Sequence, residues 1–205
     1  MRFTQQGVTL IELMIGLAIV ALVLFLGVPS FATFLQNTQI RNAAETTLQG
    51  LDLARAEAVR LNAPVRFQLV SDFTSGCAPS ATSLNWIVSL SDPTGLCDVA
   101  PAGGNASLPG TAAPQIIEEK AASEGSPNVT VAATGGSSAV FNGLGRLASA
   151  GITTIDFSNP AGGTCTYADA TNGKMRCLRI QLSSGGQAKM CDPKVTDTTD
   201  PRVCN

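Results

Sequence analysis

Histidine is absent from this chain of 205 residues. That absence removes the Ser-His-Asp triad, the Cys-His dyad and every zinc site that needs an imidazole. A basic excess is missing too. Thirteen Lys and Arg stand against 15 Asp and Glu, a net charge of −2, whereas a general electrostatic nucleic-acid binder carries a clear surplus of cations. No CxxC knuckle occurs among the six cysteines, 77, 97, 165, 177, 191 and 204, so zinc-ribbon and thioredoxin-like chemistry has no sequence support. A Walker loop, a nucleophile elbow and an acid pair with a partner are also missing. The chain reads as non-enzymatic and calls for no cofactor and no metal.

What is present begins at the amino terminus. No charged side chain occurs from Leu13 to Ile40, and Leu13 to Val28 is almost wholly apolar. About 20 such residues span a bilayer as a helix. An ordinary secretory signal would use Arg2 as its charged region and Ser30-Phe31-Ala32 as its cleavage site, but its apolar run is shorter than this one. A plain single-span anchor is the other simple reading. Neither accounts for Glu12 at the start of the apolar run. An ionised carboxylate in lipid costs several kcal/mol unless paired, and no Lys or Arg lies within a helical turn of it. The nearest candidate partner is an amino terminus created by cleavage just upstream.

The segment Gly7-Val8-Thr9-Leu10-Ile11-Glu12 resembles the leader junction of type IV pilins and type II secretion pseudopilins. The resemblance implies a leader at 1–7, cut by a prepilin peptidase between Gly7 and Val8, and methylation of the new Val8 terminus. It further implies that Glu12 pairs with the terminal amine of a neighbouring subunit during filament assembly. One departure is that family members usually begin with Phe or Met, where this chain has Val8.

Beyond Thr38 the pattern becomes amphipathic. Ile40, Ala44, Leu48, Leu51, Ala54, Ala58 and Leu61 recur at helical spacing, with Arg41/Glu45 and Asp52/Arg55 as local pairs. One helix is therefore expected over 8–62, roughly 80 Å long. Its residues 8–30 would form the transmembrane and filament-core part, and 31–62 the amphipathic part. Asn62 and Pro64 mark its end, and Gly27 and Pro29 are expected to weaken or kink it.

Residues 63–205 read as a β-rich globular domain braced by disulfides. Strands are expected over 65–70, 84–90, 129–132, 138–141, 152–157 and 177–182, with a hairpin if 178–182 pairs with 187–191 across 183–186. Residues 100–126 read as a long loop with helical content around 116–122. The fold class is α+β: a long helix whose C-terminal half packs on a small antiparallel sheet or sandwich. Gly143-Leu144-Gly145-Arg146-Leu147-Ala148 matches the GxGxxA dinucleotide fingerprint, but no helix follows it, so a tight turn between strands is the reading.

An even number of widely spaced cysteines reads as three disulfides formed in an oxidising compartment. The sequential pairing Cys77–Cys97, Cys165–Cys177 and Cys191–Cys204 is favoured among the fifteen that six cysteines allow. Closing the last would constrain a loop of about 14 residues, worth roughly 3 kcal/mol in chain-entropy models. Asp192, Asp197 and Asp200 offer oxygens to calcium but lack EF-type spacing and its glycine.

The stretches "LARAEAVRLNAPVRFQL", "VFNGLGRLASAGITTIDFSN" and "LRIQLSSGGQAKMC" resemble the GspH/FimT group of minor pilins and minor pseudopilins, closest in character to its FimU/FimT minor pilins. The resemblance covers the first 70 residues or so and the second half in pieces, and it supports the Cys191–Cys204 pairing. It implies a minor type IV pilin that helps prime assembly or links tip subunits to the major pilin. The alternatives are a minor pseudopilin of a type II secretion system and a DNA-binding subunit for DNA uptake. Implied partners are other minor pilins, the major pilin, the prepilin peptidase and the inner-membrane assembly platform. The chain would sit in the bacterial inner membrane with its domain in the periplasm, then in the filament or at its tip. For nucleic acid the candidates are Lys174, Arg176, Arg179 and Lys189. The group's DNA-binding branch has Gly-Arg-x-Arg where this chain has Gly186-Gln187-Ala188-Lys189, so the bidentate guanidinium forks are missing there.

Overall fold

A computed structural model describes residues 9–101, 114–149, 151–163, 165 and 175–204, with only the backbone described over 26–30. One α-helix, α1 (Leu10–Leu61), runs for 52 residues, roughly 78 Å at the α-helical rise. Thr9 caps its start. The Thr9 side chain accepts the Glu12 backbone N–H while the Glu12 side chain faces the Thr9 N–H, a reciprocal capping box. The far end is closed by Asn62 in the left-handed region at φ 49°, its N–H directed to the carbonyls of Ala58 and Val59, before Pro64 forbids continuation. The helix runs through Gly27 and Pro29 without a break in its assignment. Proline removes one backbone donor at most, and the turns on either side continue around it.

Among the described residues eight strands follow: β1 (Val65–Leu69), β2 (Trp86–Ser89), β3 (Ile116–Lys120), β4 (Thr130–Thr134), β5 (Ser138–Phe141), β6 (Thr154–Ser158), β7 (Leu178–Leu182) and β8 (Ala188–Cys191). They form two four-stranded sheets, ordered β3-β2-β1-β5 and β4-β6-β7-β8, with every pairing antiparallel. The segment leading into β6 ties the sheets together: Ile152 N–H donates to Ser138 O of β5 at 3.0 Å, while the next residue, Thr153, donates to Thr134 O of β4 at 2.8 Å.

The strand over Ile116–Lys120 overturns the expectation of helix around 116–122. Ile116 and Ile117 are buried and the segment pairs with β2; β-branched residues suit a pleated surface, and burial outweighs the helix preference of Glu-Glu-Lys. Central strand β2 shows no alternation because both its faces are covered. Trp86 and Val88 join the main core, and Ile87 packs with Val70, Ile116 and the Cys77 and Cys97 sulfurs. β6 alternates, with Ile155 and Phe157 inward.

One stripe of α1 supplies the helix side of the core: Ile40, Ala44, Thr47, Leu51, Ala54 and Ala58 are buried at alternating spacings of four and three. The small residues set the approach distance. At Gly50 a β-carbon would lie 3.0 Å from both the Phe67 and Trp86 rings, whose centroids are 5.7 Å apart.

Candidate functional site

The described residues of the stem contrast with the rest of α1. Leu10 to Phe25 expose their apolar side chains on every side of the helix, Phe25 to 82 %. Among the described residues no helix is long and apolar enough to cross a membrane; the side chains of 26–30, which continue the apolar run in the sequence, lie outside them. Glu12 is exposed in this isolated chain. Among the described residues its carboxylate contacts only Thr9, at 3.5 Å from the backbone nitrogen and 3.4 Å from the hydroxyl, both at the long limit of hydrogen bonding. Its acceptor capacity is thus largely unspent. Gly7 and Val8, the expected cleavage and methylation positions, lie outside the described residues.

Each described basic residue expected near the β7–β8 hairpin is engaged by an acceptor. Arg179 grips Asp156 bidentately, Nε to Oδ1 at 2.7 Å and Nη2 to Oδ2 at 3.1 Å. The facing register of β6 and β7 sets that pair opposite one another. Lys189 donates to the Val203 carbonyl at 3.2 Å. Arg176 donates Nε to Asp192 at 3.0 Å. Lys174 lies outside the described residues.

Arg176 belongs instead to a groove of about 650 Å³ between α1 and the outer strands β7 and β8. Phe34, Leu178 and Met190 form apolar walls, and Arg41, Arg176 and Arg202 bring three guanidinium groups to it. The Arg176 backbone N–H donates to the Asn37 side chain at 2.8 Å, tying the strand approach to the helix. Asp192, nearly buried, also accepts the Lys194 N–H at 3.0 Å. The sequence marks Arg41 only as the helical partner of Glu45, a pair that forms at 2.7 Å, and gives Arg202 no role. Positions 41, 176 and 202 meet only through the tertiary fold, so no local spacing announces them.

The three disulfides close as Cys77–Cys97, Cys165–Cys177 and Cys191–Cys204. The last seals a C-terminal loop whose carboxylates serve turns. Asp197 accepts the Thr199 N–H and hydroxyl, which hold its carboxyl below the usual range. Asp200 is held by Arg202, whose side-chain and then backbone donors bring its pKa down to about 2. Among the described residues no group of three or more Cys, Asp or Glu is placed to hold a metal.

The GxGxxA segment is a turn. The Asn142 Oδ1 accepts the N–H groups of Leu144 and Arg146 at 3.0 and 3.1 Å, and Gly145 takes φ 69°. Arg55, expected to pair with Asp52, donates Nε to the Gly145 carbonyl at 3.0 Å and so pins this turn to the helix. The Asp52 carboxyl is pushed up by burial, with the Arg55 charge opposing. Gly186 packs against the Gly145 carbonyl so closely that no β-carbon fits.

Residues 43–186 match the family model of the type II transport protein GspH, and residues 2–28 match the prokaryotic N-terminal methylation motif. No curated protein matches the chain. Among solved structures, the type IV minor pilin FimU of Pseudomonas aeruginosa is similar in two crystal forms. Identities are 16 % and 17 %, TM-scores 0.45 and 0.42, with 79 % and 76 % of this chain and 95 % and 94 % of FimU covered.

Proposed function

Because this chain belongs to the GspH family, we propose that it is a minor type IV pilin, inserted by its apolar stem and withdrawn into a filament. There it would help prime assembly or link tip subunits to the major pilin. The observation that carries the reading is the stem: exposed apolar side chains all around one half of a helix whose other half is clamped by two sheets. A surface of that kind needs lipid or other stems around it. The single carboxylate, Glu12, then acts as a register mark, costly unless a neighbour's terminal amine reaches it. In this reading Gly7 precedes the cut, Val8 is methylated, and other minor pilins, the major pilin, the prepilin peptidase and the inner-membrane platform are the partners. The C-terminal domain lies in the periplasm before assembly.

The family's own description favours a second reading, a minor pseudopilin of a type II secretion system, which uses the same stem chemistry. Recovery of the tagged chain in sheared surface filaments supports the pilus; its loss, together with failed secretion of exported enzymes, supports the pseudopilin. Among the described residues, Arg179 is held bidentately by Asp156 and Lys189 by the Val203 carbonyl, which speaks against a cationic track for DNA along the hairpin.

Intact mass and N-terminal sequencing of protein from native membranes test the shared core of these readings. The expected chain begins at Val8 and carries one extra methyl group. A start at Thr33, as after an ordinary secretory signal, or an uncut Met1 would overturn both.

A further inference from the structure

The subunit reading leaves the arginine groove without a role. We propose that it holds the phosphate headgroup of an anionic phospholipid from the bilayer that surrounds the stem; this rests on the membrane-inserted reading. Its level along the chain is the first reason. A hydrocarbon core takes about 20 helical residues, so one counted from Leu13 ends near Thr33. Phe34, the first residue of the groove, follows at once, and Asn37, Thr38 and Arg41 continue the same helix face. The headgroup layer adds roughly 5–7 Å on each side of the core, about one helical turn, and Arg41, about 12 Å beyond Thr33 at the helical rise, reaches back toward it because helix side chains lean toward the N-terminus.

Chemistry is the second reason. The lining holds three guanidinium groups and one carboxylate, Asp192. Arg41 and Arg176 each commit only Nε to a carboxylate among the described residues. Arg202 uses Nε and Nη2 on Asp200. A guanidinium carries five donors, so phosphate-matching forks remain on the first two. The side chains are accessible, 70 %, 58 % and 59 % exposed for Arg41, Arg176 and Arg202. The Arg41–Glu45 pair, with both partners exposed, is weak enough to yield to a phosphate, whereas Arg176 keeps its Nε on the buried Asp192 and offers its remaining donors.

Continuity is the third. Phe31, Phe34 and Leu35 are exposed apolar residues that carry the lipid-facing stem up to the groove, where Leu178 and Met190 extend the apolar wall. An amphiphile fits such a site with its phosphate on the arginines and its chains along the stem. A free phosphate would have no use for those walls.

The test uses the full-length, processed protein in detergent, exchanged with vesicles of phosphatidylcholine alone or mixed with phosphatidylglycerol. Flotation reports insertion, and native mass spectrometry reports the lipid retained. Phosphatidylglycerol should be retained selectively, and Arg41→Gln/Arg202→Gln should lower that preference by about fivefold per arginine. This variant spares the Arg176–Asp192 pair, whose buried acid would otherwise lose its cation. Arg41→Gln alone, on an exposed helix face, keeps the test open if the double variant does not fold. Arg60→Gln, at the far end of α1 and paired along the helix with Glu57, should change nothing. Equal retention of the two lipids, retention unaffected in the groove variants, or an equal loss in Arg60→Gln would overturn the proposal alone. Failure to float with either vesicle would overturn the membrane-inserted reading with it.

Discussion

Glu12 performs two separable tasks with one side chain. It closes the capping box with Thr9, a helix-start device that glutamine also completes. It also brings the one charge of the apolar stem, which a cap does not require. Glu12→Gln distinguishes the two, because it keeps the donor–acceptor geometry toward Thr9 and removes the charge. If the carboxylate meets a neighbour's amine, the glutamine chain should insert in the membrane normally. Its recovery in sheared filaments should fall by at least about tenfold, equivalent to losing roughly 1.4 kcal/mol of pairing. Assembly at the wild-type level would reduce Glu12 to a helix cap. The same contrast between local bond and long-range partner recurs at Arg55. Its sequence neighbour Asp52 suggested a helical pair, yet its Nε goes to the Gly145 carbonyl, because only the folded chain brings that acceptor within reach.

At the scale of elements, α1 was legible because two independent signals agree: apolar residues at alternating three and four spacing, and a left-handed stop at Asn62 ahead of Pro64. Most strands were legible from their β-branched runs. β3 was not. Ile116-Ile117-Glu118-Glu119-Lys120 is locally compatible with helix, and pairing with β2 decides against it. The groove could not be read at all, since its arginines come from α1, the segment before β7 and the C-terminal loop. The close seating of α1 depends on Gly50, a position that helix propensity alone would assign to alanine. Gly50→Val should therefore destabilise the protein, even though leaving glycine regains a few tenths of a kcal/mol of propensity. Its β-carbon would start 3.0 Å from two buried rings, and overpacking of this kind costs about 1–3 kcal/mol. Thermal unfolding of the two proteins should show the lower midpoint in the variant. An unchanged or raised midpoint would mean that Phe67 and Trp86 have room to withdraw.

The whole molecule joins an apolar rod, exposed on every side over Leu10 to Phe25, to a head built on the other half of the same helix. The head has one helix stripe and two small sheets for a core, and disulfides make up the rest. Cys191–Cys204 has the most specific task. The edge of β8 would otherwise present unpaired backbone groups. The C-terminal loop covers it through the Asp192 N–H to the Arg202 carbonyl at 2.8 Å and through Lys189 to the Val203 carbonyl at 3.2 Å. That loop also brings Arg202 to the groove. A separation of 13 residues gives roughly 3 kcal/mol in the loop-closure model, so Cys191→Ser/Cys204→Ser should lower the unfolding midpoint by about 6–12 °C for a chain of this size. Hydrogen exchange adds a local readout: the Asp192 amide should lose protection well before the strands of β1 and β2. If the midpoint falls but that amide stays protected, the loop is held by its own hydrogen bonds and the disulfide acts only on the unfolded chain. If neither changes, the brace does not support the edge of β8, and the packing of Val203 alone must secure it.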